Sequence, residues 1–279
     1  MLRQAEVTGT NYVKQLSYEK DQVRFAESRM EDADFILLQS DGTGPYGVEA
    51  VKKKYPDKVI RISNFSFRGL HPDMVYIGRP SDMLRDPSLY HSLAVLEAFC
   101  AGRSEKWAQN HALTPENFEK LGLWRAWDQS IEEAQREDEQ QDVRAANLVD
   151  EFCRLRCGFF AFNHPNLFLL HEYLLKIFAW ASIKAEPADL AVLQDPLRQY
   201  DALPIYDFVA EKYGLPYRTT QDFYLGSFSR FVDGATFVSL SYESYRKAEK
   251  AKLFVDAPQS AVRHVKEWPA LSALVSVDS

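Results

Sequence analysis

The chain has 279 residues, 46% hydrophobic and 13% aromatic with 26% charged, which supplies apolar side chains for a real core and excludes extended disorder as the main state. Its 33 Lys and Arg against 40 Asp and Glu leave a net charge of −7, so the basic excess that displaces counterions from a duplex is missing and nucleic acid is not an expected partner. A local basic pocket for a small anion stays compatible with that balance.

The opening residues, MLRQAEVTGTNY, hold no apolar segment of the signal-peptide kind. Cys100, Cys153 and Cys157 are three, which cannot make a fully paired disulfide framework. A reducing, cytoplasmic setting is expected. ADFILL (33–38) is a short apolar run between polar residues, the pattern of a buried strand, and QSDGTGPYG after it reads as a loop. VEAVKKKY predicts a short helix stopped by Pro56, KVIRIS (58–63) a second strand and MVYIG (74–78) a third. Strand, helix, strand at this spacing is a crossover unit with a parallel pair. The expected fold is α/β. A small parallel sheet with a crossover helix occupies the N-terminal part (1–80), and a helix-rich remainder (81–279) completes a single domain.

Asp86-Pro87 predicts a cap and first turn for a helix carrying Leu89, Leu93, Leu96 and Cys100, ending at Gly102. Thr114-Pro115-Glu116 starts another in the same way. From Asp128 to about Arg156 the pattern predicts one long helix, charged all round at first and then striped by Leu148, Val149, Phe152 and Leu155. Cys153 and Cys157 share a face of it, but no histidine pair stands at finger spacing, so no metal is expected. Residues 159–183 are rich in Phe and Leu, yet Asn163, His164, Pro165, Asn166, His171, Glu172 and Lys176 leave no run of about 18 apolar residues, so a buried helix is expected and a membrane span is not. Within it, Asn163-His164-Pro165 opens the helix with Pro165 in the first turn and His164 beside the positive end. The last hundred residues read as loops and short helices, ALPIYDFVAEKYGLPY and SLSYESYRKAEKAKLF among them.

Ligands of open parallel sheets bind beyond the carboxyl ends of the strands. That rule brings Gln39, Ser40 and Asp41 toward Ser63, Asn64, Phe65 and Arg68, although polar residues at strand ends are also ordinary. Gly42, Gly44 and Gly47 spell G-x-G-x-x-G between strand and helix. Three residues separate the strand from the first glycine, Pro45 removes a backbone donor, and no acidic residue ends the next strand. A nicotinamide site is therefore a poor fit, while Gly42 and Gly44 can still present N–H groups to a phosphate.

Of six histidines, two precede proline: His71-Pro72 and His164-Pro165. Proline keeps the preceding residue extended. A histidine at a helix start is held neutral, the form able to take a proton, and the competing reading is a residue that merely satisfies a turn. His91, His111, His171 and His264 read as structural. No G-x-S-x-G elbow and no H-E-x-x-H occurs, which leaves Ser40, after a strand, as the conceivable serine nucleophile.

ADFILLQ, then RISNFSFRGLHPDMVYIG, then FFAFNHPNLFLL, in this order and spacing, resemble the WcbI-type polysaccharide biosynthesis proteins. FNHPN (162–166) and GLHPD (69–73) carry most of the likeness, which continues weakly through ALPIYDFVAEKYGL and SLSYESYRKA. The resemblance implies an acetyltransferase of bacterial capsule pathways that binds coenzyme A or acetyl-CoA and modifies a capsule sugar. Members open with a strand ending in a G-N-C-Q-like turn, whereas this chain opens with MLRQAEVTGTNYV, which resembles the segment after that turn.

Acyl transfer to a hydroxyl needs a base, donors for the oxyanion and a phosphate cradle. The expected base is His164 or His71, with Asn163 and Gln39 as amide donors. Arg68 and Arg61 are expected on phosphate by charge and position, beside Gly42 and Gly44. Loops 39–47 and 63–73 and the turn 162–166 are expected to face one cleft. The partners are then coenzyme A and a sugar or polysaccharide precursor. The alternatives are a non-catalytic coenzyme A- or sugar-binding assembly protein and an SGNH-like esterase acting through Ser40.

Overall fold

The two apolar runs near the N-terminus form strands β1 (Ile36–Gln39) and β2 (Val59–Ile62), paired in parallel from Ile36 opposite Val59 to Gln39 opposite Ile62. This is a computed structural model, which describes residues 20–39, 47–78, 83–185, 188–248 and 255–256. The helix Val48–Lys54 makes the connection, and its buried Val51 packs with Ile36 and Val59, flanked by Met30, Ala33, Leu38 and Tyr55. The strand expected to be buried is covered on one face only: Ile36 meets this helix, whereas Leu37 is 41% exposed. The expected parallel pair near the N-terminus is present, and the fold is mixed α/β with small sheets.

The chain forms two units. The first comes from the described parts of Met1–Phe65, Glu133–Leu148 and Leu170–Val192, and the second from those of Ser66–Glu132, Val149–Leu169 and Leu193–Ser279. The second unit holds β3 (Met74–Ile77), β4 (His91–Ser92), β5 (Phe159–Ala161), β6 (His164–Pro165), β7 (Phe223–Leu225), β8 (Arg230–Val232) and β9 (Val255–Asp256). β3 pairs antiparallel with β4 and β9, β5 with β6, and β7 with β8. The predicted third strand thus belongs to a separate, antiparallel sheet.

Helix starts follow capping chemistry. Ser92 caps Leu93–Cys100, Thr114 caps Pro115–Lys120 and Asp233 caps Gly234–Lys247, each side chain accepting from the N–H three residues on. The start expected at Asp86-Pro87 moves to Leu93, because His91 and Ser92 are first used in pairing with β3. Gly69 admits no side chain: a Cβ there would meet the Phe67 ring at 2.4 Å and Trp127 at 2.8 Å, two rings packed edge to face.

The single helix expected from Asp128 to Arg156 is two, Ala126–Asp138 and Ala146–Leu155. Between them Val143 extends the β1–β2 pair by bridging Ile62 in parallel, while the Asp142 carboxylate accepts from Arg61 N–H at 2.7 Å. Sheet pairing overrides helical propensity there. Asp138, buried at the end of the first helix, accepts from Ser63 Oγ and from the N–H groups of Ala145 and Ala146, each at 2.8 Å. It thereby fastens the strand end and caps the second helix. Cys153 lies in that helix and Cys157 beyond its end, so the two do not share a helical face.

The predicted buried helix over 159–183 and its opening at Asn163-His164-Pro165 are also corrected. Residues 159–165 form the β5–β6 hairpin, and the helix is Leu167–Trp180, with Leu169, Tyr173 and Ile177 as its buried stripe. Among the described residues no helix is long and apolar enough to cross a membrane, and no group of His, Cys, Asp or Glu is arranged to hold a metal ion.

His71, His91 and Asp73 are sealed in the second unit. His71 Nε2 donates to Leu203 O at 3.2 Å, and His91 Nε2 donates to Leu84 O at 3.2 Å with Tyr245 Oη 3.3 Å from Nδ1. Burial pulls both histidines down to about 4 from 6.5. Burial pushes Asp73 up to about 6 from 3.8, against the opposing pull of Ser92, Arg68 and Tyr206.

Two predictions follow from this packing. Asp138→Ala strands a hydroxyl and two helix-start N–H groups, so urea unfolding should show a loss of about 3 kcal/mol, whereas Glu139→Ala on the exposed side should stay within about 0.5 kcal/mol. Stability should also rise with pH between about 4 and 6.5. Each depressed histidine contributes stability that is present above 6.5 and drains as pH falls toward 4, because the unfolded chain takes up the proton first. Asp73, raised, acts in the opposite sense up to about 6, but it is one group against two. Urea midpoints measured across this range check the slope, and a flat or falling profile contradicts it.

Candidate functional site around His164

The segment FFAFNHPN folds as a tight hairpin. Ala161 lies opposite His164, Asn166 N–H donates to Gly158 O at 2.8 Å, and Asn166 Nδ2 donates to Cys157 O at 2.7 Å. Asn166 Oδ1 accepts from Leu169 N–H at 3.0 Å and so starts the helix Leu167–Trp180. The hairpin is locked to the GLHPD side by Phe67 N–H donating to Phe162 O at 2.6 Å. Phe162 packs edge-on against Tyr76 at 5.2 Å and Tyr90 at 5.3 Å.

The hydroxyls of those two tyrosines are joined through the turn. Tyr90 Oη donates to Asn163 Oδ1 at 2.6 Å, and Asn163 Nδ2 donates to Tyr76 Oη at 2.6 Å. Tyr90 has one proton, and the short bond to Asn163 uses it. Its oxygen therefore accepts from His164 Nε2, 3.2 Å away, which assigns the imidazole proton to Nε2 and the lone pair to Nδ1. Nδ1 is enclosed and has no hydrogen-bond partner. Burial holds Tyr90 far above its ordinary pKa, so it stays a phenol.

His164 is half-buried, and that desolvation lowers its pKa, with Asp201 pulling the other way. The helix begins three residues later, at Leu167, so burial replaces the helix end as the cause of the neutral ring. Asp201 is itself held: its Oδ2 accepts from Ser88 Oγ at 2.5 Å and its Oδ1 from Gly226 N–H at 2.7 Å. The Tyr200 ring lies 5.7 Å from the imidazole. A neutral histidine with a free lone pair, a phenol behind it and a carboxylate nearby can take a proton and stabilise the cation that results.

The other expected residues are placed as follows. His71 is 1% exposed and spends Nε2 on Leu203 O, so both histidines border the segment 200–203, but only His164 is within reach of solvent. Asn163 commits its amide to Tyr76 and Tyr90. Arg68 is buried, donates to Pro72 O at 3.5 Å and lies near Asp73. Gln39 is exposed at the end of β1 in the first unit. Arg61, also in the first unit, pairs with Glu49 and donates to Gln140 O at 3.5 Å while keeping 21% of its side chain exposed. Ser40, Gly42 and Gly44, with the rest of 40–46, lie outside the described residues, as does His264. Sequence reasoning missed Tyr76, Ser88, Tyr90, Tyr200 and Asp201. No local signal marks them, since Tyr90 meets Asn163 across 73 positions.

Comparisons with known proteins bear on this geometry. A solved structure described as WcbI, a novel polysaccharide biosynthesis enzyme, in a native form without a disulfide bond between coenzyme A and a cysteine, is similar to this chain at a TM-score of 0.66. It is 15% identical, with 92% of this chain and 85% of that chain covered, so the likeness is one of fold. No curated protein matches the chain. The family model of the polysaccharide biosynthesis enzyme WcbI matches residues 1–186, two thirds of the sequence, including both His-Pro segments. On that match the chain belongs to the WcbI family of polysaccharide biosynthesis enzymes.

Proposed function

We propose that the protein transfers an acetyl group from coenzyme A to a sugar hydroxyl in capsule or exopolysaccharide synthesis, with His164 as the general base. The observation that carries this reading is the unpartnered Nδ1 of a neutral imidazole whose other nitrogen is fixed by Tyr90. Family membership supports the polysaccharide setting, and the neighbouring structure's description supports coenzyme A as the donor.

Nδ1 takes the proton of the acceptor hydroxyl as the oxygen attacks. Nε2–H stays on the Tyr90 oxygen, so the ring does not turn as its charge changes. The Asp201 carboxylate, anchored by Ser88 and Gly226, stabilises the imidazolium. Bound acetyl-CoA would supply the thioester carbonyl, and as its C–S bond breaks the departing sulfur would take the proton held on His164 and leave as the free thiol of coenzyme A. Of the two arginines expected on its phosphates, Arg68 does not fit, being buried beside Asp73, and Arg61, in the first unit, is engaged by Glu49 and Gln140. Burial raises the thiol pKa of Cys100, to about 11, and of Cys153 and Cys157, so no step is assigned to a thiolate.

Calorimetric titration with coenzyme A and acetyl-CoA, combined with an assay of free thiol release, tests the reading. His164→Ala should keep coenzyme A binding and lose about 10²- to 10⁴-fold in transfer. Tight binding without turnover by the wild type would support the assembly-protein alternative, and an unchanged rate in His164→Ala would remove this histidine as the base.

A further inference from the structure

Tyr200 combines a fixed backbone with an exposed ring. It follows the turn Pro196–Gln199, and Gly226 presses so closely on it that a Cβ there would meet Gln199 O and Tyr200 Cα at 3.2 Å. Ala202 bridges Tyr224 in β7, and Asp201 accepts from Gly226 N–H, so the residues after Tyr200 are clamped to the β7–β8 hairpin. Yet the Tyr200 side chain is 50% exposed, with one neighbour fixed at 5.7 Å: the imidazole of His164. On the same hairpin Phe228 and Phe231 are 43% and 59% exposed. Aromatic surface left in water on a rigid mount, beside a proton-accepting side chain, is the character of a ligand platform.

Charge selects the ligand. The carboxylate next in sequence, Asp201, has one hydrogen bond on each oxygen and further lone pairs to offer. It attracts hydroxyl donors and repels phosphates. A pyranose presents an apolar C–H face and a rim of hydroxyls, which matches a ring flanked by a carboxylate. We propose that Tyr200 is the stacking platform of the acceptor-sugar subsite, with Asp201 accepting from a ring hydroxyl so that a neighbouring hydroxyl is directed at His164. The choice of acceptor over donor rests on the reading of His164 as the base.

Saturation-transfer NMR with methyl pyranosides of glucose, galactose, mannose and N-acetylglucosamine tests the subsite without requiring turnover. At least one glycoside should receive saturation at the C–H groups of one ring face. Tyr200→Ala should weaken its binding about tenfold while Tyr200→Phe retains it, with the thermal midpoint of both variants unchanged. Binding of every glycoside equally well by Tyr200→Ala, or of none by the wild type, overturns the proposal. Loss of coenzyme A affinity in Tyr200→Ala with sugar binding intact also overturns it, since the ring would then stack the donor's adenine. Failure of the wild type to bind coenzyme A removes the acyl-transfer reading, whereas the glycoside arm still decides the sugar platform.

Discussion

A phenol sealed in a protein core must have hydrogen-bond partners, and Tyr90 finds its partners on a hairpin more than seventy residues away. That requirement organizes the region around His164. Asn163 can accept from Tyr90 and donate to Tyr76 only if the turn holds its amide between the two rings, which fixes the imidazole beside the same phenol. The asparagine thus settles where protons sit. By taking the Tyr90 proton it leaves the Tyr90 oxygen to receive Nε2–H, and Nδ1 keeps an unpartnered lone pair.

The rest of the FNHPN segment serves this placement. Phe162 supplies the ring contacts that seat the tyrosines, and Asn166 closes the hairpin while opening the next helix. Pro165 keeps His164 extended. The other His-Pro pair looks the same in sequence and acts differently: His71 is fully enclosed and bonded to a backbone carbonyl, where a neutral ring is a packing element. Burial separates the two rings: His71 is 1% exposed, whereas His164 is half-buried and keeps part of its ring at the surface.

A similar dependence on distant partners shapes the first unit. Asp138 ends a helix, yet its carboxylate is occupied by Ser63 and by the start of the following helix. The stretch 139–145 is charged and helix-compatible, but Val143 is drawn into the sheet beside Ile62. One backbone cannot satisfy both, and the strand pairing prevails.

Local pattern was enough for β1, β2 and the helix between them, because an apolar run, a polar loop and a proline stop are properties of neighbouring residues. It was also enough for the cap at Thr114, where a threonine, a proline and a glutamate in succession are a local signal. The likeness to the WcbI family was legible in FNHPN and GLHPD for the same reason. What the tertiary structure alone decided is which histidine stays reachable, which arginine stays at the surface, and which tyrosines and carboxylate surround the base. Those outcomes depend on desolvation and on hydrogen bonds between residues tens of positions apart, and no periodicity within a segment encodes which distant group it will meet.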